Sequence, residues 1–186
     1  MRPSVASRPS EASDEVGLII ALLVRYPQIA TIVSHPADGT LVLSFALRGK
    51  LDRRTERGVR ETVTEHVRAL LEHEREQPDA LAVACESDAD MSFVRITRDV
   101  RSFTRDELQV LVALLADRFA ASLVQSPAAD EDAFDDEGAA DELVDYAIEA
   151  LREPEQQRSL VGFREEKRVL VYYVKSRKKA KARARS

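Results

Sequence analysis

Large apolar side chains recur at two different spacings along the chain, and each spacing predicts a different element. Residues 40–47 change between large apolar and smaller side chains at every position, which is the period of a β-strand. The large ones, all on one face, are Leu41, Leu43, Phe45 and Leu47. A strand with one strongly apolar face predicts a sheet that a helix covers on that face.

The next segment has the period of such a helix. Its apolar residues recur every three or four positions over about six turns, and the helix has to end before Pro78. These residues are Val59, Val63, Val67, Leu70 and Leu71. A hairpin precedes the helix, because residues 29–33 are largely β-branched and residues 35–39 have turn chemistry.

The same combination of a hairpin and a helix follows a second time. Residues 81–85 and 91–97 are predicted strands, and the turn between them consists of Ser, Asp and Ala. Thr104 and Glu107 then form a predicted capping box. It begins a strongly apolar helix that is expected to extend to Leu123.

One more helix precedes this pattern and another follows it. Ser13 is the predicted N-cap of a first helix that ends just before Pro27, since proline disfavours helical geometry in the residue before it. Residues 139–151 carry the apolar stripe of a helix. Residues 160–163 and 169–174 are predicted to form a third hairpin.

Together these elements predict an α+β fold. Its sheet is mostly antiparallel and consists of β-hairpins that alternate with helices, as two hairpin–helix units that form four strands. The C-terminal helix and hairpin are too small to fold alone. They are expected either to extend the sheet or to pack beside it.

Charge and composition divide the chain into five segments. The predicted α+β core covers residues 13–125, after a disordered N-terminus of residues 1–12. Residues 126–138 contain six acids, no base and one large apolar side chain, so they bury too little surface to order themselves and form an acidic linker. The helix–hairpin appendage covers residues 139–174, and residues 175–186 form a disordered basic tail.

Composition limits the chemistry that this chain can carry. With 44% hydrophobic and 33% charged residues in a chain of 186, the composition is globular. The single cysteine, Cys85, excludes an internal disulfide and any site with several cysteines, and a cytoplasmic setting is the simplest one for it. The apolar run of residues 16–24 is too short to span a bilayer, so no membrane association is expected.

Motifs for catalysis and for metal binding are missing from the sequence. If the acidic run were a calcium-binding loop with Gly138 at its sixth position, Ala133 would have to be the first ligand, and alanine cannot coordinate a metal. His66 and His73 are two turns apart on one helix, too far to share a ligand without a third element. No cofactor, metal or catalytic residue is therefore predicted. The hypothesis that the chain is an enzyme, with a site that consists of scattered carboxylates and arginines, stays open.

The basic tail is the strongest functional signal. It contains seven bases and no acid, so the rest of the chain, with 21 bases and 33 acids, carries a net charge of −12. The seven are Lys175, Arg177, Lys178, Lys179, Lys181, Arg183 and Arg185. Such a segment favours a polyanionic partner, which is RNA, DNA, an acidic protein surface or the acidic linker of the chain itself.

A second set of bases follows the strands of the first two hairpins. Arg48, Arg53 and Arg54 come after the first hairpin, and Arg95, Arg98 and Arg101 lie on and after the last strand of the second. If both hairpins have the same orientation in one sheet, these strand ends share an edge with two helix N-termini and favour phosphate binding. The alternative is that arginine is simply the ordinary surface cation of this protein, balanced by nearby acids.

Two hypotheses of function follow. In the first, the chain is a non-enzymatic cytoplasmic protein that associates with RNA or another polyanion, in a ribosomal context for example, through the tail and the arginine-rich strand ends. In the alternative, it is a protein-interaction or regulatory module without nucleic-acid binding, and it forms a homodimer through exposed sheet edges.

Overall fold

The computed structural model of the protein describes residues 14–125, 137–153, 158–165 and 168–174. The predicted N-terminal segment, nearly all of the acidic linker and the basic tail lie outside these ranges. The helices within them are α1 (Asp14–Arg25), α2 (Arg53–Glu74), α3 (Arg105–Arg118) and α4 (Glu137–Arg152). The strands are β1 (Thr31–His35), β2 (Thr40–Arg48), β3 (Leu81–Asp88), β4 (Met91–Asp99), β5 (Ser159–Glu165) and β6 (Arg168–Val174).

All six strands belong to one antiparallel sheet, in the order β3-β4-β2-β1-β5-β6. Three hairpins, β1–β2, β3–β4 and β5–β6, are joined by the pairings of β2 with β4 and of β1 with β5. The predicted α+β class with hairpins between helices is confirmed. The third hairpin extends the sheet, so the sheet has six strands where the first two hairpins alone predict four.

One face of the sheet holds the hydrophobic core. The register makes Leu43 of β2 the partner of both Ile32 and Ile96, and all three side chains are fully buried. We call this side of the sheet the core face. It continues through Phe45 and Leu160, and residues from all four helices join the same apolar cluster.

The helices cover the core face in two groups. α1 packs on β1, β5 and β6 and also against α4, whereas α2 packs on β3 and against α3. The closest approach is at Gly162 of β5, where an added Cβ would overlap Cγ2 of Ile19 and come within 3.0 Å of Leu23 Cδ1. The absence of a side chain at Gly162 therefore lets α1 lie directly on the sheet.

The end of α3 differs from the sequence pattern for an identifiable reason. α3 ends at Arg118, and Leu123, which was expected to continue the helix, forms a β-bridge with Leu47. The next residue, Val124, donates a backbone hydrogen bond to the carbonyl oxygen of Ala46 at 2.8 Å. This segment occupies the edge of β2 beyond the start of β1, where unpaired backbone groups would otherwise remain.

The predicted capping box is half formed. Thr104 Oγ1 accepts a hydrogen bond from the Glu107 backbone N–H at 3.2 Å, as expected of an N-cap. The Glu107 carboxylate, however, points to Arg98 rather than back to the cap. Within the residues described above, no helix has the length and apolarity needed to cross a bilayer.

Candidate polyanion interface

The predicted strand-end bases do not share one end of the sheet: Arg48 is at one end, Arg98 is at the other, and Arg95 is opposite Ser44 in the middle of β4. Because β2 and β4 are antiparallel, Arg48 is the partner of Met91, while Thr40 is the partner of Asp99. We call these two the Arg48 end and the Asp99 end. Along β2 they are about 27 Å apart, at 3.3–3.4 Å per residue. The expectation that both sets of bases share one edge is therefore wrong.

The loop at the Arg48 end is held in place by Ser92, a buried residue of β4. Its hydroxyl donates to the Gly49 carbonyl oxygen at 2.7 Å and accepts from the Leu51 N–H at 3.1 Å. Gly49 has a φ of 89°, which side chains disfavour and glycine tolerates. These contacts fix the direction in which the chain leaves β2 and enters α2.

Asp52 fixes the start of α2. Its Oδ1 accepts a hydrogen bond from the Thr55 N–H at 2.7 Å, so that Asp52 is the N-cap. This hydrogen bond lowers the pKa of the Asp52 carboxyl, and the negative charge is retained at neutral pH. Arg53 and Arg54 then occupy the first turn, next to the positive end of the helix dipole.

Five exposed bases surround this helix start, and we call them the α2 basic cluster. They are Arg48, Lys50, Arg53, Arg54 and Arg57. None of the five takes part in an ion pair among the described residues, where the nearest pair on α2 joins Arg60 to Glu56 at 3.8 Å. Five exposed cations near a helix N-terminus, with no ion pair among the residues that the structure describes, concentrate positive charge at this surface.

The exposed arginines of the second hairpin are neutralised by acids. Arg95 is 2.6 Å from Glu86 of the neighbouring strand. Arg101 is 2.6 Å from Asp79 and 3.1 Å from Glu76, and the hydrogen bonds that it donates to these carboxylates raise its pKa. These two arginines therefore match the alternative of ordinary, balanced surface charge, although they lie in the predicted set.

Arg98 is not at the surface at all. It is fully buried, and its Nε and Nη2 donate to the two Glu107 carboxylate oxygens at 2.5 and 3.0 Å. Its Nη1 donates to Asp99 and to the Ala80 carbonyl oxygen, the latter at 2.7 Å. With these donors engaged, Arg98 has no group free for a ligand, and it is not part of a nucleic-acid interface.

The two carboxylates around Arg98 have opposite pKa shifts. Burial raises the pKa of Glu107, and the bidentate contact with Arg98 offsets this only in part. Burial also acts to raise the pKa of Asp99, but hydrogen bonds from Ser102 and from the Ala80 N–H, together with the charge of Arg98, outweigh it. The pKa of Asp99 is therefore far below its ordinary value, and the cluster holds a buried cation between two acids.

The basic tail, Lys175 to Arg185, lies outside the described residues, but the point where it begins is described. β6 ends at Val174, which is the partner of Ser159. The Ser159 hydroxyl is hydrogen-bonded to His35 Nδ1 at 3.0 Å, and His35 pairs with Thr40. The tail therefore begins at the Asp99 end, at the opposite end of the sheet from the α2 basic cluster.

Histidine, cysteine and carboxylate side chains are the groups that would hold a metal in the described part of the chain. It contains no group of three or more His, Cys, Asp or Glu side chains placed to bind a metal ion. His66 Nδ1 donates to the Thr62 carbonyl oxygen of its own helix at 2.8 Å. Burial raises the pKa of the Cys85 thiol, which leaves it protonated and a weak nucleophile.

The side of the sheet turned away from the helices is a surface that no motif marks. We call it the open face. The alternation that places Leu43 on the core face places Val42 on the opposite one, and Phe93 and Phe163 follow the same alternation on β4 and β5. The open face mixes apolar with polar side chains, such as Thr31 and Thr97, and its sequence signal is the second half of a period-two pattern whose first half predicts the core.

Comparison of the chain with protein-family models, with curated proteins and with solved structures finds no match.

Proposed function

We propose that this chain is a non-enzymatic binding protein that associates with a polyanion, RNA being the expected class, through the α2 basic cluster and the basic tail. A cytoplasmic setting belongs to the same proposal. Its support is the contrast between two groups of arginines. Arg95, Arg98 and Arg101 are neutralised by acids of the chain itself, whereas Arg48, Arg53 and Arg54 are exposed and have no ion pair among the described residues.

This contrast matters for polyanion binding because of desolvation and counterion release. A base that already pairs with a carboxylate has to break that pair before it binds a phosphate, whereas an unpaired base only releases or displaces small ions. An arginine can in addition contact a phosphate with two parallel hydrogen bonds. The α2 basic cluster is therefore the part of the described surface that binds a polyanion with the least competition.

The expected mode of binding is independent of sequence. The α2 basic cluster consists of arginine and lysine, and residues 48–57 contain no aromatic side chain for stacking on a base. Contacts from such a surface go to the phosphate backbone, which positions a nucleic acid without reading its bases. We expect single-stranded RNA and DNA of equal length to compete for this protein.

The test compares unpaired with paired arginines at equal net charge. The variant Arg53→Gln with Arg54→Gln is expected to bind fluorescein-labelled single-stranded RNA several-fold more weakly at low salt, as measured by fluorescence anisotropy. The control, Arg95→Gln with Arg101→Gln, loses the same number of charges and is expected to bind almost as well as the unaltered chain. Equal losses in the two variants would show that net charge alone governs binding and would exclude the α2 basic cluster as a site.

The identity of the polyanion is tested in the same assay. RNA, DNA and a poly-glutamate peptide separate nucleic acid from an acidic protein surface. The acidic linker is a further competitor for the tail, since it carries Asp130, Glu131, Asp132, Asp135, Asp136 and Glu137. Replacing these six acids with amides is expected to strengthen RNA binding if the linker competes for the tail, and unchanged binding at low salt would show that it does not.

A second function is favoured by a separate observation. The apolar open face suits a protein-interaction module that forms a homodimer, and such a role requires no nucleic acid. The strand pattern alone suggests the exposed sheet edges as the contact surface of this dimer, and the open face is a second candidate for it.

A further inference from the structure

The open face carries apolar side chains on most of its strands, interspersed with polar ones such as Thr31, Ser44 and Thr97. The strand register gives one row that consists of Tyr172, Val161, Val33 and Val42, from β6 to β2. The next row begins with Leu170 and Phe163, and Phe163 stacks on Tyr172 with ring centroids 5.8 Å apart. Ala46 and Phe93 continue the surface on β2 and β4. These residues come from five of the six strands.

Apart from Ala46, which is buried, these side chains lie outside the hydrophobic core. The core cluster and the partly buried residues packed on it come from the core face of each strand, as Leu43, Val94 and Val171 do. On the open face, Val33, Val42, Phe93, Val161, Phe163 and Leu170 are half-buried, and Tyr172 is 54% exposed. Apolar surface that several strands leave partly exposed in this way is typical of an interaction site.

The charges on this face are balanced. In its central rows, the charged residues are Arg95 and Glu86, which pair with each other at 2.6 Å. At the Arg48 end the face is bordered by exposed bases and acids in equal number, which are Arg48, Arg168, Asp88 and Glu165. An apolar centre with a charged rim is the anatomy of a protein–protein interface. A polyanion is a poor occupant, because the central rows offer it no unpaired base.

The size of the face matches a second copy of the same surface. Six strands about 4.8 Å apart, each about seven residues long at 3.4 Å per residue, cover roughly 700 Å². A stable protein–protein interface of standard size buries about 800 Å² on each partner. A face with equal numbers of positive and negative groups also produces no net repulsion when it meets its own copy.

We propose that a second copy of this chain covers the open face, so that two sheets pack face to face in a symmetric dimer. Such sheets pack about 10 Å apart with their strands about 30° from parallel. A two-fold axis through the interface brings the same patch of each copy into contact, as a closed dimer requires. The helices of each copy form the outer layers of the dimer, and each apolar core stays buried between its own sheet and helices.

The test is the molar mass of the full chain as a function of concentration, measured by sedimentation equilibrium. The unaltered protein is expected to have twice its chain mass of 20.8 kDa. Val42→Lys and Phe163→Lys each place a charge in the centre of the face and are expected to weaken the dimer at least about ten-fold, that is by about 1.4 kcal/mol. Circular dichroism establishes that each variant is folded.

A matched pair of tyrosines keeps the test decisive if a central variant fails to fold. Tyr172 lies on the open face and is 54% exposed, and Tyr146 lies on α4 and is 59% exposed. Tyr172→Lys is expected to lower the molar mass at intermediate concentration, whereas Tyr146→Lys is expected to leave it unchanged. A dimer that responds equally to both variants, or to neither, would contradict the proposal.

Other results would distinguish a second copy of the chain from a different occupant of the open face. A molar mass of 20.8 kDa at the highest concentration that stays in solution would overturn the proposal and leave the face to a different protein. Removal of residues 175–186 is expected to leave the dimer intact, because the tail begins at the edge of the sheet, beyond β6. A dimer that requires the tail would therefore also contradict a contact through the open face. Loss of RNA binding alone would concern only the function proposed above.

Discussion

Arg98 is held by five hydrogen bonds, which engage all five N–H donors of its guanidinium group. Through them the end of β4 is tied to the start of α3 at Glu107, and to the residue that precedes β3 at Ala80. A buried cation between two acids is costly to desolvate, so its contribution depends on every partner remaining in place. The role of Arg98 is therefore structural.

Replacing Arg98 is expected to destabilise the fold strongly. Arg98→Met keeps the length of the side chain but leaves Glu107 and Asp99 buried without a cation, which costs about 3–5 kcal/mol of the free energy of unfolding. The measurement is urea unfolding at neutral pH. Arg95→Met is the control, because it removes an exposed pair worth at most about 1 kcal/mol. A loss below about 1 kcal/mol for Arg98→Met would mean that the buried network contributes little to stability.

The sequence contains a signal for the burial of Arg98. Ser92, Val94 and Ile96 alternate with exposed or half-buried neighbours, and the same period places Arg98 on the core face. The sequence pattern also marks its partner Glu107, but as half of a predicted capping box. The sequence does not show that Arg98 and Glu107 are close in space, because tertiary packing places α3 next to β4.

At the scale of elements, the contact between α1 and β5 joins the two ends of the chain. β5 pairs with β1 along Thr31–Ser34, and α1 lies over both strands. Gly162 lies under α1, next to Ile19 and Leu23. The third hairpin is thereby part of the sheet and of its core, and it is not an independent attachment.

A side chain at position 162 is expected to push α1 away from the sheet. Gly162→Ala is expected to cost about 1–3 kcal/mol of the free energy of unfolding, as overpacked core positions do. Gly17→Ala is the matched control, because nothing lies within 4 Å of a Cβ on that residue of α1. There the exchange is expected to stabilise the helix by up to about 1 kcal/mol. Equal effects of both variants in thermal unfolding would show that α1 is not in close contact with Gly162.

The sequence largely predicts which helices and strands form, but it predicts their arrangement in the fold less well. The spacing of apolar residues identifies the helices and the alternating strands, and β-branched runs and turn residues identify the other strands, because these signals are local. The pairing of β1 with β5 joins residues more than 120 positions apart, and nothing local specifies it. Asp52 shows a smaller omission: the sequence contains this N-cap residue three positions before Thr55, but the apolar stripe alone does not place the helix start there.

At the scale of the whole molecule, charge and apolar surface are separated into distinct regions. The α2 basic cluster is at the Arg48 end, the tail begins at the Asp99 end, and the open face lies between them with balanced charge. The sequence predicts the tail and the excess of arginine near the strand ends. It does not tell which arginines are unpaired, because the acids that neutralise Arg101 are 22 and 25 residues away in the chain.

The most direct test of the proposed function is the salt dependence of RNA binding by the intact chain and by a chain without residues 175–186. The intact chain is expected to bind single-stranded RNA at low salt. The slope of log affinity against log salt is expected to be flatter by up to about five after the seven tail bases are removed, at about 0.7 per phosphate contact. The α2 basic cluster should retain weak binding that Arg53→Gln with Arg54→Gln abolishes. An intact chain that binds neither RNA nor DNA at low salt, or a slope that the tail does not change, would contradict the account.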